Sequence, residues 1–402
     1  MKEGWTVRPL HEVCEIKPPK REVRTRLEAD DPVSFVPMND LGIREKWLLP
    51  KQERPLSSVA GSYTYFADGD VLIAKITPCF ENGKLGVARG LTNGVGFGSS
   101  EFVVLRPTDA LDAEFLFYFL SQDSFRDAGS RVMSGAVGHK RVPKEFIQNV
   151  TVPIPPLTEQ KRIVATLDEA FAGIATALAN TEKNLANARE LFESYLNAFF
   201  SQQGEEWEER SLADVCVNLD SKRVPITKSK RMPGGIPYYG ASGVVDHVAD
   251  YIFDEDLLLV SEDGANLLAR TYPIAFSISG KSWVNNHAHV LRFDAIESQR
   301  FIEYYLNSIS LEPYVSGMAQ PKLNQKALNS IKVPFPSVDQ QRVVVEKLDE
   351  IASGKRQLSD IYRQKLNALS ELRQSLLQKA FSGELTAGEA ASDAMRQVEE
   401  IA

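Results

Sequence analysis

The chain carries much of its own pattern twice, and a long internal repeat limits the architecture before any single residue is weighed. Trp5-x4-Leu10-x2-Val13-Cys14 returns as Trp207-x4-Leu212-x2-Val215-Cys216, an offset of 202 positions. Val104-Leu105-Arg106 and Phe115 return as Val290-Leu291-Arg292 and Phe301, an offset of 186. Val152-Pro153-Ile154-Pro155, Gln160 and Leu167-Asp168-Glu169 return at 181 as Val333-Pro334-Phe335-Pro336, Gln341 and Leu348-Asp349-Glu350. Glu190-Leu191, Ser194, Leu196 and Phe200-Ser201 keep that offset against Glu371-Leu372, Ser375, Leu377 and Phe381-Ser382. The spacing shrinks only within the globular stretches, so the chain reads globular–helix–globular–helix. A constant frame carrying two diverged heads suits one common partner and two different ligands.

The helical stretches show a seven-residue repeat. From Thr158 to Phe200, one position holds Val164, Phe171, Leu178, Leu185, Phe192 and Phe199. The other holds Leu167, Ile174, Ala188 and Tyr195, with Thr181 a polar interruption. From Asp339 to Phe381 the matching residues are Val344, Ile351, Leu358 and Leu372, with Leu348, Tyr362, Leu369 and Leu376; Lys355 and Lys365 also fall on this seam. Such a pattern indicates a coiled coil. Each helix would run about 65 Å at ~1.5 Å per residue. Neither can bury its stripe alone and each is the other's natural mate, with a homodimeric coiled coil the alternative. Antiparallel pairing would put the heads at opposite ends of a rod. The leads Pro153, Pro155 and Pro156, and Pro334 and Pro336, cannot continue a helix; they end a strand and set the entry angle.

Length and composition allow two or three domains in 402 residues, with an ordinary 43% of hydrophobic residues. No apolar run approaches the ~20 residues of a membrane span, and Met1-Lys2-Glu3-Gly4-Trp5 lacks a secretory pattern. Cys14, Cys79 and Cys216 are too scattered for a disulfide framework, which fits a reducing cytoplasm. They form no metal-binding spacing with the five histidines, and no structural metal is expected. The net charge of −8 weighs mildly against nucleic acid. Its distribution softens that objection. Lys17, Lys20, Arg21, Arg24 and Arg26 cluster against Glu22 alone, and Lys222, Arg223, Lys228, Lys230 and Arg231 against Asp220 alone, while acids gather after Glu384. The plainer reading of either basic cluster is a solvated surface.

Each head mixes strands with short helices. Val71–Ala74, Phe102–Leu105, Leu257–Val260 and Ala288–Leu291 read as strands, and Phe115–Leu120 and Phe301–Leu306 as helices. Asn93–Ser100 and Tyr238–Gly243 read as loops, either ordinary turns or segments able to approach a DNA groove. Ala275-x4-Gly280-Lys281-Ser282 nearly matches a phosphate-binding loop, yet the stretch from Trp283 to Val290 reads as a turn and a strand where a helix is needed. Gly94-Val95-Gly96-Phe97-Gly98 resembles the glycine loop that holds S-adenosylmethionine, but it too leads into a strand. No Asn/Asp-Pro-Pro-aromatic motif accompanies it. His287-x-His289 could present two imidazoles, with no third ligand evident in sequence; a packed or hydrogen-bonded strand is the simpler reading. Glu262 and Asp263 could accept from cytosine amino groups or merely shape a turn. No nucleophile, base and oxyanion grouping can be assembled, so no catalytic or cofactor site is expected.

Together these residues resemble the specificity subunit of type I restriction-modification systems, over roughly Trp5 to Leu385. The most specific segments are Val152-Pro-Ile-Pro-Pro-Leu-Thr-Glu-Gln-Lys-Arg-Ile-Val, Val333-Pro-Phe-Pro-Ser-Val-Asp-Gln-Gln-Arg-Val-Val-Val and Lys379-Ala-Phe-Ser-Gly-Glu-Leu385. Ile236-Pro-Tyr-Tyr-Gly-Ala-Ser-Gly and Trp283-Val-Asn-Asn-His-Ala-His-Val-Leu-Arg are similar to one class of target recognition domain. The first helix departs from the family's usual ending at Asn197–Gly204, which leaves its exit open.

The resemblance implies an α+β fold: two similar α/β target recognition domains separated by two long helices pairing as an antiparallel coiled coil. The boundaries it suggests are 1–151 and 205–332 for the heads, 152–204 and 333–385 for the helical regions, and 386–402 for an acidic, frayed tail. It further implies a chain without catalysis of its own, in which each head reads half of a bipartite double-stranded DNA site. The helices would space the halves and dock two methyltransferase subunits, with two restriction subunits able to join. S-adenosylmethionine, ATP and Mg²⁺ would reside on those partners. Side-chain type and position nominate Lys75, Lys84, Arg89, Ser99, Lys140 and Arg141 as DNA contacts in the first head. In the second they nominate Lys222, Arg223, Lys228, Tyr238, Tyr239, Ser242, Asn285 and Lys322. Rival readings are the recognition subunit of a system whose partner fuses methylation and cleavage, a self-contained DNA-modifying or DNA-cutting enzyme, and a non-enzymatic DNA-binding scaffold.

Overall fold

A computed structural model describes residues 2, 4–201, 207–317, 320–385, 396–397 and 401. The chain forms two compact units, Met1–Glu182 with Arg363–Ala402, and Lys183–Tyr362. Each holds one head and the adjoining parts of both long helices. Most of the expected acidic tail, and the end of the Asn197–Gly204 segment, lie outside the described residues.

In the first unit the chain enters the head along Thr6–Pro9 and leaves along Thr151–Ile154; these strands pair antiparallel, Thr6 opposite Ile154 and Pro9 opposite Thr151. The head is thus closed by its own ends. Within it, a five-stranded sheet runs in the order Cys14–Ile16, Phe102–Pro107, Val71–Ala74, Leu85–Ala88 and Trp47–Leu48. Val71–Ala74 and Leu85–Ala88 are buried throughout, as near-continuous apolar runs should be. A second sheet has the order Gln52–Pro55, Pro32–Val36, Val95–Gly98 and Thr64–Ala67. Helix Ala113–Leu120 starts at Asp112, whose carboxylate accepts from the N–H groups of Glu114 and Phe115 at 2.9 and 3.0 Å.

The second unit repeats this plan. Glu208–Ser211 and Lys332–Phe335 form the closing pair. One sheet runs Val217–Asn218, Ala288–Arg292, Leu257–Ser261 and Ala275–Ile278, the other Gly243–Val248, Pro233–Gly240, Lys281–Val284 and Phe253–Asp254. Helix Ile296–Ser308 takes the place of Ala113–Leu120.

Two loop assignments are corrected by these sheets. Val95–Gly98 is a buried inner strand, and Tyr238–Gly240 ends a strand whose hairpin turn is Ala241–Ser242. Glycine is needed in the first for packing: a Cβ on Gly96 would lie 2.2 Å from the Phe66 ring, and one on Gly98 2.4 Å from the Val36 carbonyl oxygen. Val95–Gly98 and Lys281–Val284 occupy equivalent places, each parallel to its neighbour. The glycine-rich stretch and the near-match to a phosphate loop are therefore the same strand in two copies. Gly280, at φ +72, turns the chain directly into that strand.

The long helices are Leu157–Ser201 and Val338–Ser382, 45 residues each and about 68 Å long. In the first unit Ile163, Leu167, Ala170, Ile174 and Ala177 share a core with Leu369, Leu372, Leu376 and Ala380. In the second, Leu196 and Phe200 share one with Val345 and Leu348. The start of one helix meets the end of the other in both units, so the pairing is antiparallel. The seam is tight only near these ends. No residue from Glu182 to Tyr195 or from Asp349 to Ala368 is fully buried, and Leu358, expected in the seam, is exposed. Lys355 explains part of this: it lies 4.7 Å over the Phe192 ring, where a leucine would otherwise fill the gap. Thr181 is buried and donates to the Ala177 carbonyl at 2.7 Å, which satisfies its hydroxyl without a partner helix. By length and composition, part of Leu157–Ser201 is apolar enough to cross a bilayer; its buried side chains here pack on the second helix and the heads.

Candidate DNA interface

The heads are held to the helices by the same residues in both units. Gln160, wholly buried, accepts from the Asp112 N–H at 2.8 Å and donates to the carbonyls of Ala110 and Pro155 at 2.9 and 2.8 Å. Gln341, equally buried, donates to the Pro336 carbonyl at 2.7 Å and accepts from the Ser298 hydroxyl at 2.6 Å. Further along each helix, Asp168 accepts from Tyr118 and Lys46, and Asp349 from Tyr304 and Arg300. Burial, reinforced by these carboxylates, raises the phenol pKa of Tyr118 and Tyr304. The Pro-x-Pro…Gln…Leu-Asp-Glu repeat is thus a mounting bracket.

In the first head most nominated side chains already have protein partners. Lys84 donates to the Met38 carbonyl at 2.8 Å, and Arg89 lies 4.6 Å over the Trp47 ring. The Ser99 hydroxyl accepts from the Glu101 N–H at 3.2 Å, and Lys75 donates to the Ser100 carbonyl at 3.0 Å. Arg141 makes a two-pronged contact with Glu101 at 2.8 and 3.0 Å, which holds that carboxyl below its usual range. Lys140 is exposed in the loop that joins Ser134 to Arg141.

The second head separates its candidates more sharply. Tyr238 is 1% exposed, and its hydroxyl accepts from the Ile226 N–H at 2.9 Å. Asn285 is 7% exposed and its side-chain oxygen accepts from the His287 N–H at 2.8 Å. Both are buried within the head itself. Arg223 is also internal, bonded to Glu262 and the Ala288 carbonyl at 2.6 and 2.8 Å. Tyr239 is half-buried, with burial raising its pKa, while Ser242 donates to the Tyr272 hydroxyl at 3.0 Å. Lys222, Lys228 and Lys322 are exposed. Lys322 reaches Glu262 at 3.2 Å.

Folding also gives His289 neighbours that its sequence spacing did not reveal. Its Nδ1 lies 2.6 Å from Asp220 and its Nε2 2.8 Å from the Leu323 carbonyl, so both ring nitrogens face acceptors. Asp220, Glu262 and His289 bring ligand-type atoms within 4.8 Å of one another. Arg223 and Lys322 already balance the two carboxylates. Burial alone would raise the pKa values of Asp220 and Glu262; His289, Arg223 and, for Glu262, Lys322 overcome it and hold both below their usual range. His287 turns the other way, to Asp263 at 2.8 Å. The imidazoles therefore serve two different partners. Cys14, Cys79 and Cys216 are free thiols.

Comparison with known proteins mirrors the repeat. The type I restriction modification DNA specificity domain matches residues 2–187 and again 204–368. The chain is 39% identical over 168 residues to the Escherichia coli type I restriction enzyme EcoEI specificity subunit, covering 42% of this chain and 28% of that protein. It is 31% identical over 220 residues to the EcoAI specificity subunit from the same species, covering 54% and 37%. The alignments thus span only about a third of these relatives' length. A solved chain described for complex assembly and conformational transition of the type I R-M system superposes with a TM-score of 0.78 at 19% identity, covering 96% of this chain and 99% of its own. That likeness concerns the fold. Since both copies of the repeat match one family pattern, the chain belongs to the type I restriction modification DNA specificity family.

Proposed function

We propose that this chain is the non-catalytic specificity subunit of a type I restriction-modification complex, each head reading one half of a bipartite double-stranded DNA site. The observation that carries this reading is the combination of one mounting bracket, Gln160 with Asp168 and Gln341 with Asp349, and two heads whose remaining surfaces differ. The long helices set the distance between the halves and dock two methyltransferase subunits, to which two restriction subunits can add. S-adenosylmethionine belongs to the methyltransferase, ATP and Mg²⁺ to the restriction subunits, and the complex works on cytoplasmic DNA. Of the nominated cations, Arg89, Lys140, Arg141, Lys222, Lys228 and Lys322 are exposed and are offered for phosphate or base contacts.

The test is single-molecule methylation sequencing of DNA from cells that express the partner methyltransferase with and without this chain. A split, adenine-methylated motif that requires the chain is the expected result, and exchanging residues 207–333 should then change one half of that motif. A folded, expressed methyltransferase that yields no motif in the chain's presence would leave a DNA-binding scaffold as the better account.

A further inference from the structure

The two heads share a small backbone frame that no motif marks. In the first, Arg141 and Ser134 exchange N–H···O bonds at 2.8 and 3.1 Å, closing a loop that contains Gly135 at φ +129. In the second, Lys322 and Ser316 do the same at 2.8 and 2.9 Å, with Gly317 at φ +84. Three further bonds tie each loop to the end of a central strand and the segment beside it. Thr77 N–H donates to the Lys140 carbonyl, Val142 to Lys75 and Lys75 to Glu101, at 2.9, 2.9 and 3.0 Å. Their counterparts are Gly264 to Pro321, Leu323 to Glu262 and Glu262 to His287, at 3.0, 2.8 and 2.9 Å. Five backbone bonds are therefore matched one for one, and Lys75, Glu101 and Arg141 stand where Glu262, His287 and Lys322 stand.

The side chains on this frame are not matched. The strand end carries a cation, Lys75, in one head and an anion, Glu262, in the other; the facing position carries Glu101 or His287. Each set pairs within itself: Glu101 with Arg141 and Lys75 at 2.8 and 3.9 Å, Glu262 with Lys322 at 3.2 Å, and Asp263 with His287 at 2.8 Å. The backbone bonds hold the frame in both heads whichever charges are present, so these ion pairs are not needed to define it. Lys75, Glu101 and Asp263 remain partly exposed, and Arg141, His287 and Lys322 exposed. An unchanged backbone carrying exchanged donors and acceptors is what two readers of different base sequences require.

Resting on the proposed function, we infer that this frame is a base-reading site in each head: Lys75 and Glu101 in the first, and in the second His287 with Asp263, the residue that follows the matched Glu262, toward base-pair edges of double-stranded DNA. Glu101 and Asp263 accept from base amino groups, and Lys75 and His287 donate to base oxygen or nitrogen acceptors. Arg141 and Lys322, the position that stays cationic in both copies, take the adjoining phosphate.

The experiment uses the full chain in complex with its methyltransferase subunits and reads methylation of a randomised DNA library. The unsubstituted complex must first yield a split motif; if it does not, the proposed function fails and not this inference. Given that motif, Glu101→Gln should relax one position of one half, and Asp263→Asn one position of the other, by on the order of tenfold in preference. Lys75→Gln and His287→Gln provide second variants should the first ones fold poorly, with thermal unfolding as the check. Arg141→Gln should lower methylation at all sites alike and reduce the salt dependence of DNA binding by about one counterion. An unchanged motif in a folded variant of each head, or a uniform loss at all sites from Glu101→Gln and Asp263→Asn, would overturn the inference and leave the frame a structural latch.

Discussion

Gln160 and Gln341 show what a repeated polar residue can mean. Their spacing after Pro-x-Pro is plain in the sequence, but their role is not, because their partners are backbone atoms and a hydroxyl distant along the chain. Gln160→Ala would strand the Asp112 N–H and the Ala110 carbonyl, and a cost of about 1–3 kcal/mol is expected from urea unfolding of the intact chain. The Asp220–His289–Arg223–Glu262 network is illegible for a related reason: its members lie far apart in sequence, and a strand pattern reports which positions are internal but not what they bond. This network makes a pH prediction. Asp220 and Glu262 have lowered pKa values in the folded protein, so their contribution is present above the unfolded carboxylate range and is lost as pH falls below about 4. Asp220→Asn should lower the unfolding temperature at pH 7 and flatten its decline between pH 5 and 3. An unaltered pH profile would show that the network does not govern acid unfolding.

At the level of elements, the periodic signals are the most faithful guide and the glycine signals the least. The helices begin and end within one residue of the expected bounds, since a heptad stripe over six turns or more overrides local detail. Val95–Gly98 reads as a loop in the sequence because three glycines in five residues, Gly94 to Gly98, normally mark one; here two of them, Gly96 and Gly98, make room for Phe66, the Val36 carbonyl and Phe102. Periodicity also cannot tell which positions of a seam touch. Leu167 and Leu376 are buried, whereas Leu358, on the same expected seam, is 39% exposed. Leu167→Ala and Leu376→Ala should therefore each cost about 2–5 kcal/mol, while Leu358→Ala should stay within about 0.5 kcal/mol. Denaturant midpoints of the three variants decide the matter, and a large loss from Leu358→Ala would mean that the helices pack more closely there than this structure shows.

For the molecule as a whole, the repeated bracket makes a stronger demand than the repeated fold. If the heads are interchangeable parts, a head moved to the other mounting must find its partners waiting. Replacing residues 207–333 with residues 5–152 would bring Tyr118 and Lys46 to Asp349, which now accepts from Tyr304 and Arg300. It would bring the Asp112 N–H and Ala110 carbonyl to Gln341, and Thr6–Pro9 would close the head against Thr151 and Val152 continued by the retained Pro334 and Phe335, as Glu208–Ser211 and Lys332–Phe335 do. Every polar group in the bracket keeps a complementary partner, so the chain with two first heads should fold with an unfolding temperature close to that of the natural chain. With its methyltransferase it should methylate a motif in which both halves carry the first head's sequence. Adding Tyr118→Phe to the transplanted copy alone would leave Asp349 with one donor fewer, and stability should then fall by about 1–3 kcal/mol. A two-first-head chain that folds but still yields the original split motif would mean that sequence is read outside the heads. One that cannot fold although both brackets are intact would mean that each head is specific to its own helix.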